Sequence, residues 1–230
     1  MLETIAENVW SVPAPFKVFG LIALNGRMTI IRLRNGDIWL HSPIAISDEL
    51  RREIDALGTV RYLVAPSCFH HMFVGPWKEA YPKAQIFAAR GLNKKRKDLA
   101  IETLLHEPKQ QYWDEFSLCN IEGMPAVNET IFFHKPSSTL IVTDFLFYIP
   151  QASGFTGFYA WLNGFKNKIT TPFLFTLAIK DKEAFRTSLF PLREWKTKHI
   201  SMCHHYVYSQ DDANLRVQNV LDSLSVPELG

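Results

Sequence analysis

Hydrophobic and polar positions in the first third of the chain follow the periods of a β-hairpin and then of a helix. Residues 28–40 form two runs rich in β-branched and aromatic side chains, separated by Asn-Gly-Asp at 35–37, and this pattern predicts a hairpin. Apolar side chains then recur at helical spacing in residues 47–57, which begin with a serine suited to an N-cap. We therefore predict a helix over this segment, closed by Gly58.

The segments that follow alternate between strand and helix. Residues 60–65 form a nearly continuous apolar run, which is typical of a strand buried on both faces. A helical segment through Tyr81 and a strand over residues 85–88 come next. This order of elements predicts an α/β sandwich in the first half of the chain.

The second half repeats the pattern. Residues 130–134 and 139–143 are strand-like and are joined by Lys-Pro-Ser-Ser, which predicts a second hairpin. Residues 201–208 are predicted to form a strand with histidines in its middle. Residues 211–224 carry apolar positions suited to an amphipathic helix at the C-terminal end.

An aromatic-rich stretch at 155–177 has no regular period. We interpret it as an irregular packed insertion in preference to a lid over the sandwich. The chain of 230 residues, with 47% hydrophobic and 13% aromatic content, can bury a sizeable core. We therefore expect residues 1–230 to form one domain, with the insertion at about 150–180.

Charge and cysteine usage narrow the classes of function. The 25 basic and 23 acidic residues give a net charge of +2, so we expect no nucleic-acid partner. The basic run at 94–97 is interpreted as a solvated loop. The three cysteines are odd in number and far apart, which predicts no disulfide framework and favours a reducing compartment.

Targeting and membrane signals are weak. The first twelve residues lack the basic and apolar regions of a signal peptide. The most apolar later stretch, at 145–179, is interrupted by polar residues and prolines, so we expect no transmembrane segment. A cytoplasmic protein is the expectation. Phosphate-binding glycine motifs are also missing from the sequence, which disfavours nucleotide-dependent chemistry.

Candidate ligands for a metal ion follow the predicted strands. The histidine pair at 70–71 comes after the strand 60–65, Asp144 comes after the strand 139–143, and the pair at 204–205 lies in the last strand. Imidazole and carboxylate groups suit zinc, iron and related ions. Because adjacent side chains point in different directions, one site normally takes one histidine of each pair.

Other side chains near these segments leave alternatives open. Cys68 and Cys203 are possible thiolate ligands, and Ser67 is a possible nucleophile beside the first histidine pair. No G-x-S-x-G motif supports a serine hydrolase. Glu129 precedes a strand and is interpreted as structural, with ligation as the alternative. We expect His41 to pack inside the protein and not to bind a metal ion.

Several stretches carry a resemblance to a known family. They are Asn-Gly-Asp at 35–37, His-Ser-Pro at 41–43, Leu-Gly at 57–58, His-His-Met-Phe at 70–73, residues 77–82, residues 129–134 and Ser-Thr-Leu-Ile-Val-Thr-Asp at 138–144. Together with the final histidine strand, they resemble the metallo-β-lactamase-like hydrolases, in a divergent branch described as a domain of unknown function. The resemblance implies an α/β fold, a four-layer αββα sandwich with a site at the sheet edges.

The resemblance also implies a ligand set, from which this sequence departs. Active members carry an H-x-H-x-D-H turn, whereas here His70 and His71 lie over its final Asp-His pair. Pro66 and Cys68 stand at the two earlier histidine positions, and Met124 replaces a later histidine. A standard two-metal site is therefore incomplete.

What remains of the ligand set implies one metal ion. The matching ligands are His71, Asp144 and either His204 or His205, with His70 beside them; His134 is a possible substitute from another direction. Zinc, iron or manganese would then activate water on a small-molecule ester, lactone or phosphoester.

Two hypotheses follow from this reduced ligand set. In the hydrolase-like one, the catalytic residues are Asp144 and His70, with His70 or the unused terminal histidine as proton shuttle. The alternative is a metal-free pseudo-enzyme that binds an apolar small molecule or a protein partner beneath the aromatic insertion.

Overall fold

The computed structural model describes residues 1–18, 20–106 and 114–226. The described residues contain fourteen strands: β1 (Glu3–Ala6), β2 (Val9–Ala14), β3 (Lys17–Val18), β4 (Ile22–Ala23), β5 (Gly26–Arg32), β6 (Asp37–His41), β7 (Thr59–Ala65), β8 (Gln85–Ala88), β9 (Thr103–Leu104), β10 (Phe116–Asn120), β11 (Thr130–His134), β12 (Thr139–Val142), β13 (His199–Met202) and β14 (Val207–Tyr208). The same ranges contain seven α-helices: α1 (Asp48–Asp55), α2 (Val74–Ala80), α3 (Leu92–Lys95), α4 (Gly154–Leu162), α5 (Phe173–Thr176), α6 (Lys182–Ser188) and α7 (Ala213–Ser223).

Two main sheets organise these strands. The first has the order β1-β2-β5-β6-β7-β8-β9, and the second has the order β10-β11-β12-β13-β14. Strands β6, β7, β8 and β9 run parallel to one another, as do β12 and β13. The short strands β3 and β4 form a separate antiparallel hairpin.

Side chains of β6 alternate between the two faces of the first sheet, and each face packs against a different layer. Trp39 is fully buried and packs against Phe132 of the second sheet, and His41 stacks on Trp39 in the same space between the sheets. Ile38 and Leu40 point the other way, into a buried cluster with the apolar faces of α1 and α2. Successive strand side chains face opposite sides, so this one strand contributes to two layers of core.

The second sheet follows the same rule. Ile141 of β12 belongs to the core between the sheets, whereas Leu140 and Val142 belong to the cluster formed with α6 and α7. Helices therefore cover the outer face of each sheet. This arrangement is the four-layer αββα sandwich, and it confirms the predicted fold class.

Local predictions in the first half are confirmed with one change. Strands β5 and β6 form the hairpin around Asn-Gly-Asp, and Ser47 caps α1 by accepting a hydrogen bond from the backbone N–H of Leu50 at 3.2 Å. The helix ends earlier than predicted, because Ala56 is its C-cap. Gly58 is required for another reason: a Cβ there would lie 2.3 Å from the carbonyl oxygen of Gly36 in the hairpin turn.

The prediction of one strand over residues 201–208 is wrong. The segment forms two antiparallel strands, β13 and β14, with the histidine pair in the turn between them. His205 adopts a left-handed conformation with φ of 59°. His204 instead makes an isolated bridge to Gly26, which joins this turn to the end of β5 in the other sheet.

The aromatic insertion, predicted to be irregular, forms α4 and α5 at its two ends, and residues 163–172 between them contain no helix. Helix α4 buries Gly157 and Ala160, and a Cβ at Gly157 would approach the carbonyl oxygen of Ala152 to 2.5 Å. Phe165 follows α4 into a small buried cluster with Phe147. Within the described residues, no helix is long and apolar enough to cross a bilayer.

Candidate metal centre

The ends of parallel strands from both sheets meet at one edge of the sandwich. Ser42 follows β6 and His70 lies in the loop after β7, in the first sheet. Asp144 lies just after β12 and His204 just after β13, in the second sheet. Parallel strands present all their carboxyl ends at one edge, so side chains distant in sequence converge there.

Three of these side chains form a cluster suited to a metal ion. One ligand atom from each of His70, Asp144 and His204 lies within 4.8 Å of the other two. Nε2 of His70 is 3.4 Å from Oδ2 of Asp144, and Nε2 of His204 is 3.3 Å from Oδ1. The two imidazoles therefore flank one carboxylate.

Each of the two imidazoles also makes a hydrogen bond through Nδ1, the ring nitrogen that does not face Asp144. Nδ1 of His70 is 2.8 Å from the hydroxyl of Ser42. Nδ1 of His204 lies 3.2 Å from the carbonyl oxygen of Leu24 and 3.1 Å from that of Asn25. Metal-ligating histidines are usually oriented in this way, by a hydrogen bond at the nitrogen that does not bind the ion.

The partners of His204 also fix its tautomer. A carbonyl oxygen can only accept, so Nδ1 of His204 carries a proton. In a neutral ring Nε2 would then direct its lone pair at the carboxylate of Asp144. A proton on Nε2, or a metal cation bound between the two groups, removes this repulsion.

Glu129 positions the loop that carries Asp144. Its buried carboxylate accepts hydrogen bonds from the backbone N–H of Thr143 at 2.6 Å and from that of Asp144 at 3.0 Å. Burial, followed by the charge of Asp144, raises the pKa of Glu129 to about 8 against the effect of these hydrogen bonds. The structure thus gives Glu129 the structural role that the sequence favoured.

Burial and local charge act in opposite directions on the cluster. Burial alone would raise the pKa of Asp144, but His70 and His204 hold that pKa well below its usual range. Burial also disfavours the charged form of His204, yet the hydrogen bond and charge of Asp144 raise its pKa above the ordinary value. The cluster therefore presents an ionised carboxylate between two imidazoles.

The donor set fits a divalent metal ion. Oδ2 of Asp144 is buried and makes no hydrogen bond among the described residues; it lies in ion-pair range of Nε2 of His70, at 3.4 Å. Two imidazole nitrogens and one carboxylate oxygen are ligands used for zinc in sites that keep a position open for water. An ion held by His70, Asp144 and His204 would compensate that oxygen.

A large cavity opens onto the cluster. Its volume is about 700 Å³, which suits a ligand of drug-like size. Asp144, His70, His71 and His204 line one part of it. The rest of the wall is mostly apolar, and its larger apolar or aromatic side chains are Phe16, Leu24, Ile44, Phe69, Met72, Phe73, Phe147, Tyr159, Phe165, Leu174 and Phe175.

Comparison with known proteins identifies the family. The model of the family described as "Domain of unknown function (DUF4336)" matches residues 6–157. The chain belongs to the DUF4336 family. No curated protein matches the chain.

Solved structures place this DUF4336 domain in a larger fold group. It is similar to a metallo-β-lactamase from Pontibacter korlensis, with a TM-score of 0.65 and 11% identity over 96% of this chain and 98% of that one. The DIM-1 metallo-β-lactamase exposed to ceftazidime gives 0.64 and 12%, over 97% and 96%. FIM-1 from Pseudomonas aeruginosa, in its mono-zinc form, gives 0.62 and 11%, over 99% and 96%. The chain thus has the fold of the metallo-β-lactamases.

The structure does not bring the second histidine of either pair into the cluster of this DUF4336 domain. Nδ1 of His71 lies 3.0 Å from Nη1 of Arg96, on the cavity wall. Nε2 of His205 lies 2.6 Å from the carbonyl oxygen of Ala23. The expected ligand set was His71, Asp144 and one terminal histidine; the observed cluster uses His70 in place of His71.

His134 also lies apart from the cluster. It occupies the end of β11, where Nδ1 contacts the hydroxyl of Ser137 at 2.7 Å and Nε2 lies 3.7 Å from Glu115. Its imidazole is nearly fully buried beside Phe116. These contacts give His134 a packing role within the second sheet.

The cysteines and the serine considered as alternative ligands or nucleophile make structural contacts instead. Cys68 donates to the carbonyl oxygen of Arg90, and Cys203 lies 3.6 Å from Nδ1 of the buried His41. Burial is the main cause that raises the pKa of both thiols, so neither favours a thiolate ligand. Ser67 accepts hydrogen bonds from two backbone N–H groups and caps the turn that carries His70.

Two residues of the site were missed by the sequence reasoning. Ser42 orients His70, and its position directly after β6 is the signal that could have revealed it. Arg27 is almost fully buried and donates to the hydroxyl of Ser11 at 2.6 Å and to the carbonyl oxygen of His205 at 3.1 Å. It anchors the turn that presents His204, and no local sequence pattern indicates this contact.

Proposed function

We propose that the protein is a metal-dependent hydrolase with one divalent ion held by His70, Asp144 and His204, acting on an uncharged ester or lactone. One observation carries the proposal: three ligand groups from two sheets converge, and one of them has a buried carboxylate oxygen that makes no hydrogen bond among the described residues. The large apolar cavity beside this cluster gives the substrate its place.

Zinc is the first candidate for the ion, followed by iron and manganese. Imidazole nitrogen suits zinc and iron, and the carboxylate adds negative charge. The similar FIM-1 structure is a mono-zinc form, which supports a one-metal arrangement on this fold. When bound, such an ion polarises a carbonyl oxygen and lowers the pKa of a bound water to about 7.

The chain's own residues would orient the ligands and donate hydrogen bonds. The hydroxyl of Ser42 and the carbonyl groups of Leu24 and Asn25 hold the two ligand imidazoles in place. The shuttle role predicted for His70 passes in this proposal to His71, because Nε2 of His70 faces Asp144.

His71 is suited to donate a hydrogen bond to the substrate. Arg96 can only donate, so Nδ1 of His71 accepts its hydrogen bond and the neutral ring carries its proton on Nε2. Burial, then Lys95 and Arg96, lower the pKa of His71 and favour this neutral form. His71 lines the cavity, so we assign Nε2–H to hydrogen bonding with the leaving oxygen of the substrate.

The cavity favours an uncharged substrate over a phosphoester. Most of its wall is aromatic or aliphatic, and a phosphate group would need cations to compensate its charge. Arg27 reaches the cavity, but its two terminal guanidinium nitrogens already donate to Glu3, to Ser11 and to the carbonyl oxygen of His205. A carboxylic ester or a lactone with an apolar chain matches these walls.

The proposal is tested by measuring metal content and turnover in the same set of variants. Untagged protein, His204→Asn and the matched control His199→Asn would be analysed for bound metal and assayed with p-nitrophenyl esters, lactones and a phosphodiester. We expect about one metal per chain in wild type and in the control, with ester or lactone turnover. His204→Asn should lose both. A folded wild type that takes up no zinc, iron or manganese would reject the proposal.

A metal-free binding protein is the second candidate. The observation that favours it is that Asp144 already lies 3.3 Å and 3.4 Å from two imidazoles, which could neutralise it when protonated. The cavity would then bind an apolar small molecule without turnover. Displacement of a hydrophobic dye by lipophilic compounds from metal-free protein, together with no turnover, would support this candidate.

A further inference from the structure

Several large apolar side chains are exposed to solvent on one part of the surface. They lie on α4, on α5 and near the β3–β4 hairpin, and the exposed fraction of each is between 55% and 68%: Leu21, Phe155, Phe158, Trp161, Phe173 and Leu177. A soluble protein rarely exposes so many neighbouring apolar groups, and such patches mark binding surfaces.

Hydrogen bonds join the three segments into one face. The backbone N–H of Ala23, at the end of the hairpin, donates to the hydroxyl of Thr156 in α4 at 3.0 Å. Asn163, which caps α4, accepts at its carbonyl from the backbone N–H of Phe173 and at its side chain from that of Leu174. We call this surface, made by the β3–β4 hairpin, α4 and α5, the apolar face.

Helix α4 turns its largest side chains outward. Gly157 and Ala160 are buried against the domain, whereas Phe155 and Phe158, three residues apart, are exposed on the other side. The ring of Trp161 lies 5.9 Å from that of Phe158. Phenylalanine and tryptophan on the outer side of a short helix are typical of helices that lie in the interface of a bilayer.

The segment that carries α4 and α5 has only basic charged residues. Residues 145–180 contain no aspartate or glutamate, and their basic residues, Lys166, Lys168 and Lys180, are exposed. Lys17 of the hairpin is exposed as well. Lysines beside an apolar surface attract anionic lipid headgroups. Two copies of this face would bring like charges together, which disfavours self-association.

The apolar face continues into the cavity. Phe16, Phe69, Met72 and Leu174 line the cavity and are also between 37% and 53% exposed, so they form its rim. Leu174 belongs to α5 and thus to both surfaces. An apolar molecule could pass from a bilayer into the cavity along this rim without crossing water.

We propose that the apolar face binds the surface of a bilayer that contains anionic lipid, with the cavity rim turned toward the membrane. The apolar side chains insert into the boundary between headgroups and acyl chains, and the lysines contact the headgroups. This inference does not rest on the metal ion or on hydrolysis, since its residues lie outside the His70, Asp144 and His204 cluster.

Vesicle binding tests the proposal. The full chain would be sedimented with vesicles of phosphatidylcholine, with and without phosphatidylglycerol, and its tryptophan emission recorded in the same samples. We expect binding that requires phosphatidylglycerol and weakens with salt, and a blue shift of the emission as Trp161 enters the interface.

Matched variants locate the binding surface. Phe158→Ser combined with Trp161→Ser should weaken vesicle binding about tenfold or more, because binding strength scales with the apolar area inserted. Leu215→Ser removes a side chain that is 58% exposed on α7, and it should bind like wild type. Lys166→Glu with Lys168→Glu should weaken binding to vesicles with anionic lipid and reduce the salt dependence of the binding that remains.

Three outcomes would overturn the proposal. The first is no binding of the wild type to either vesicle. The second is an equal loss of vesicle binding in the Leu215→Ser control, which would indicate nonspecific hydrophobic adsorption. The third is a dimer in solution that the Phe158 and Trp161 changes dissociate, without vesicle binding; the apolar face would then join two copies of the chain. Circular dichroism confirms that each variant remains folded.

Discussion

Asp144→Asn is the sharpest perturbation of the proposed metal centre. The change keeps the size of the side chain and leaves its backbone N–H bonded to Glu129. It replaces a charged oxygen with a neutral amide between His70 and His204. We expect the fold to survive and the affinity for a divalent ion to fall steeply.

The expected shift follows from binding linkage. Free zinc at about 100 times its dissociation constant stabilises the wild type by about 2.7 kcal/mol, which for a chain of this length raises the melting temperature by about 5–11 °C. If Asp144→Asn lowers the affinity about a hundredfold, the same zinc contributes only about 0.4 kcal/mol and a shift near 1 °C. The two proteins should therefore separate clearly.

Thermal unfolding followed by circular dichroism, with chelator and with added zinc, iron or manganese, provides the measurement. Glu115→Gln is the matched control, since it removes a carboxylate that lies 3.7 Å from another buried histidine, His134. The control should respond to metal like the wild type. An equal shift in the wild type and in Asp144→Asn would refute the assignment of Asp144 as a ligand.

Three further predictions concern groups around the site. Ser42→Ala should weaken metal affinity about 10–100-fold by freeing His70, measured by chelator competition, whereas Ser47→Ala should cost α1 about 1 kcal/mol without changing affinity. Burial holds the pKa of His41 well below 6.5, so the unfolded chain binds a proton that the folded one does not. Stability should therefore fall by about 1.4 kcal/mol per pH unit below about pH 6.5 through this group, and urea unfolding of His41→Gln should lack that slope. Trp77→Phe leaves a buried carbonyl without its 2.7 Å hydrogen bond and should cost about 1–3 kcal/mol in the same assay, with no change in metal binding.

The fold was predictable because its signals are local. The hairpin around Asn-Gly-Asp at 35–37 and the cap at Ser47 are encoded in a few neighbouring residues, and the structure confirms both. The turn at 203–206 was missed because its cause is distant. His204 is held by carbonyl groups of Leu24 and Asn25, which no local pattern relates to it.

The candidate site was predictable to the level of loops and not of individual side chains. Strand ends singled out the segments that carry His70, Asp144 and His204. The choice within each histidine pair depends on tertiary contacts. Arg96 holds His71 on the cavity wall, and the carbonyl oxygen of Ala23 holds His205 away. Neither contact can be predicted from the spacing of residues in the sequence.

These outer contacts also bear on how the site is organised. His71 and His205 lie next to the proposed ligands and are bonded to neighbouring segments, so they fasten the two loops that present His70 and His204. Arg27 adds a further contact at the second loop. These contacts, all with protein groups, would hold the two loops in place before an ion binds. In the proposed metal centre, a preorganised site of this kind would lose less conformational entropy on binding than one whose loops had to be ordered by the ion.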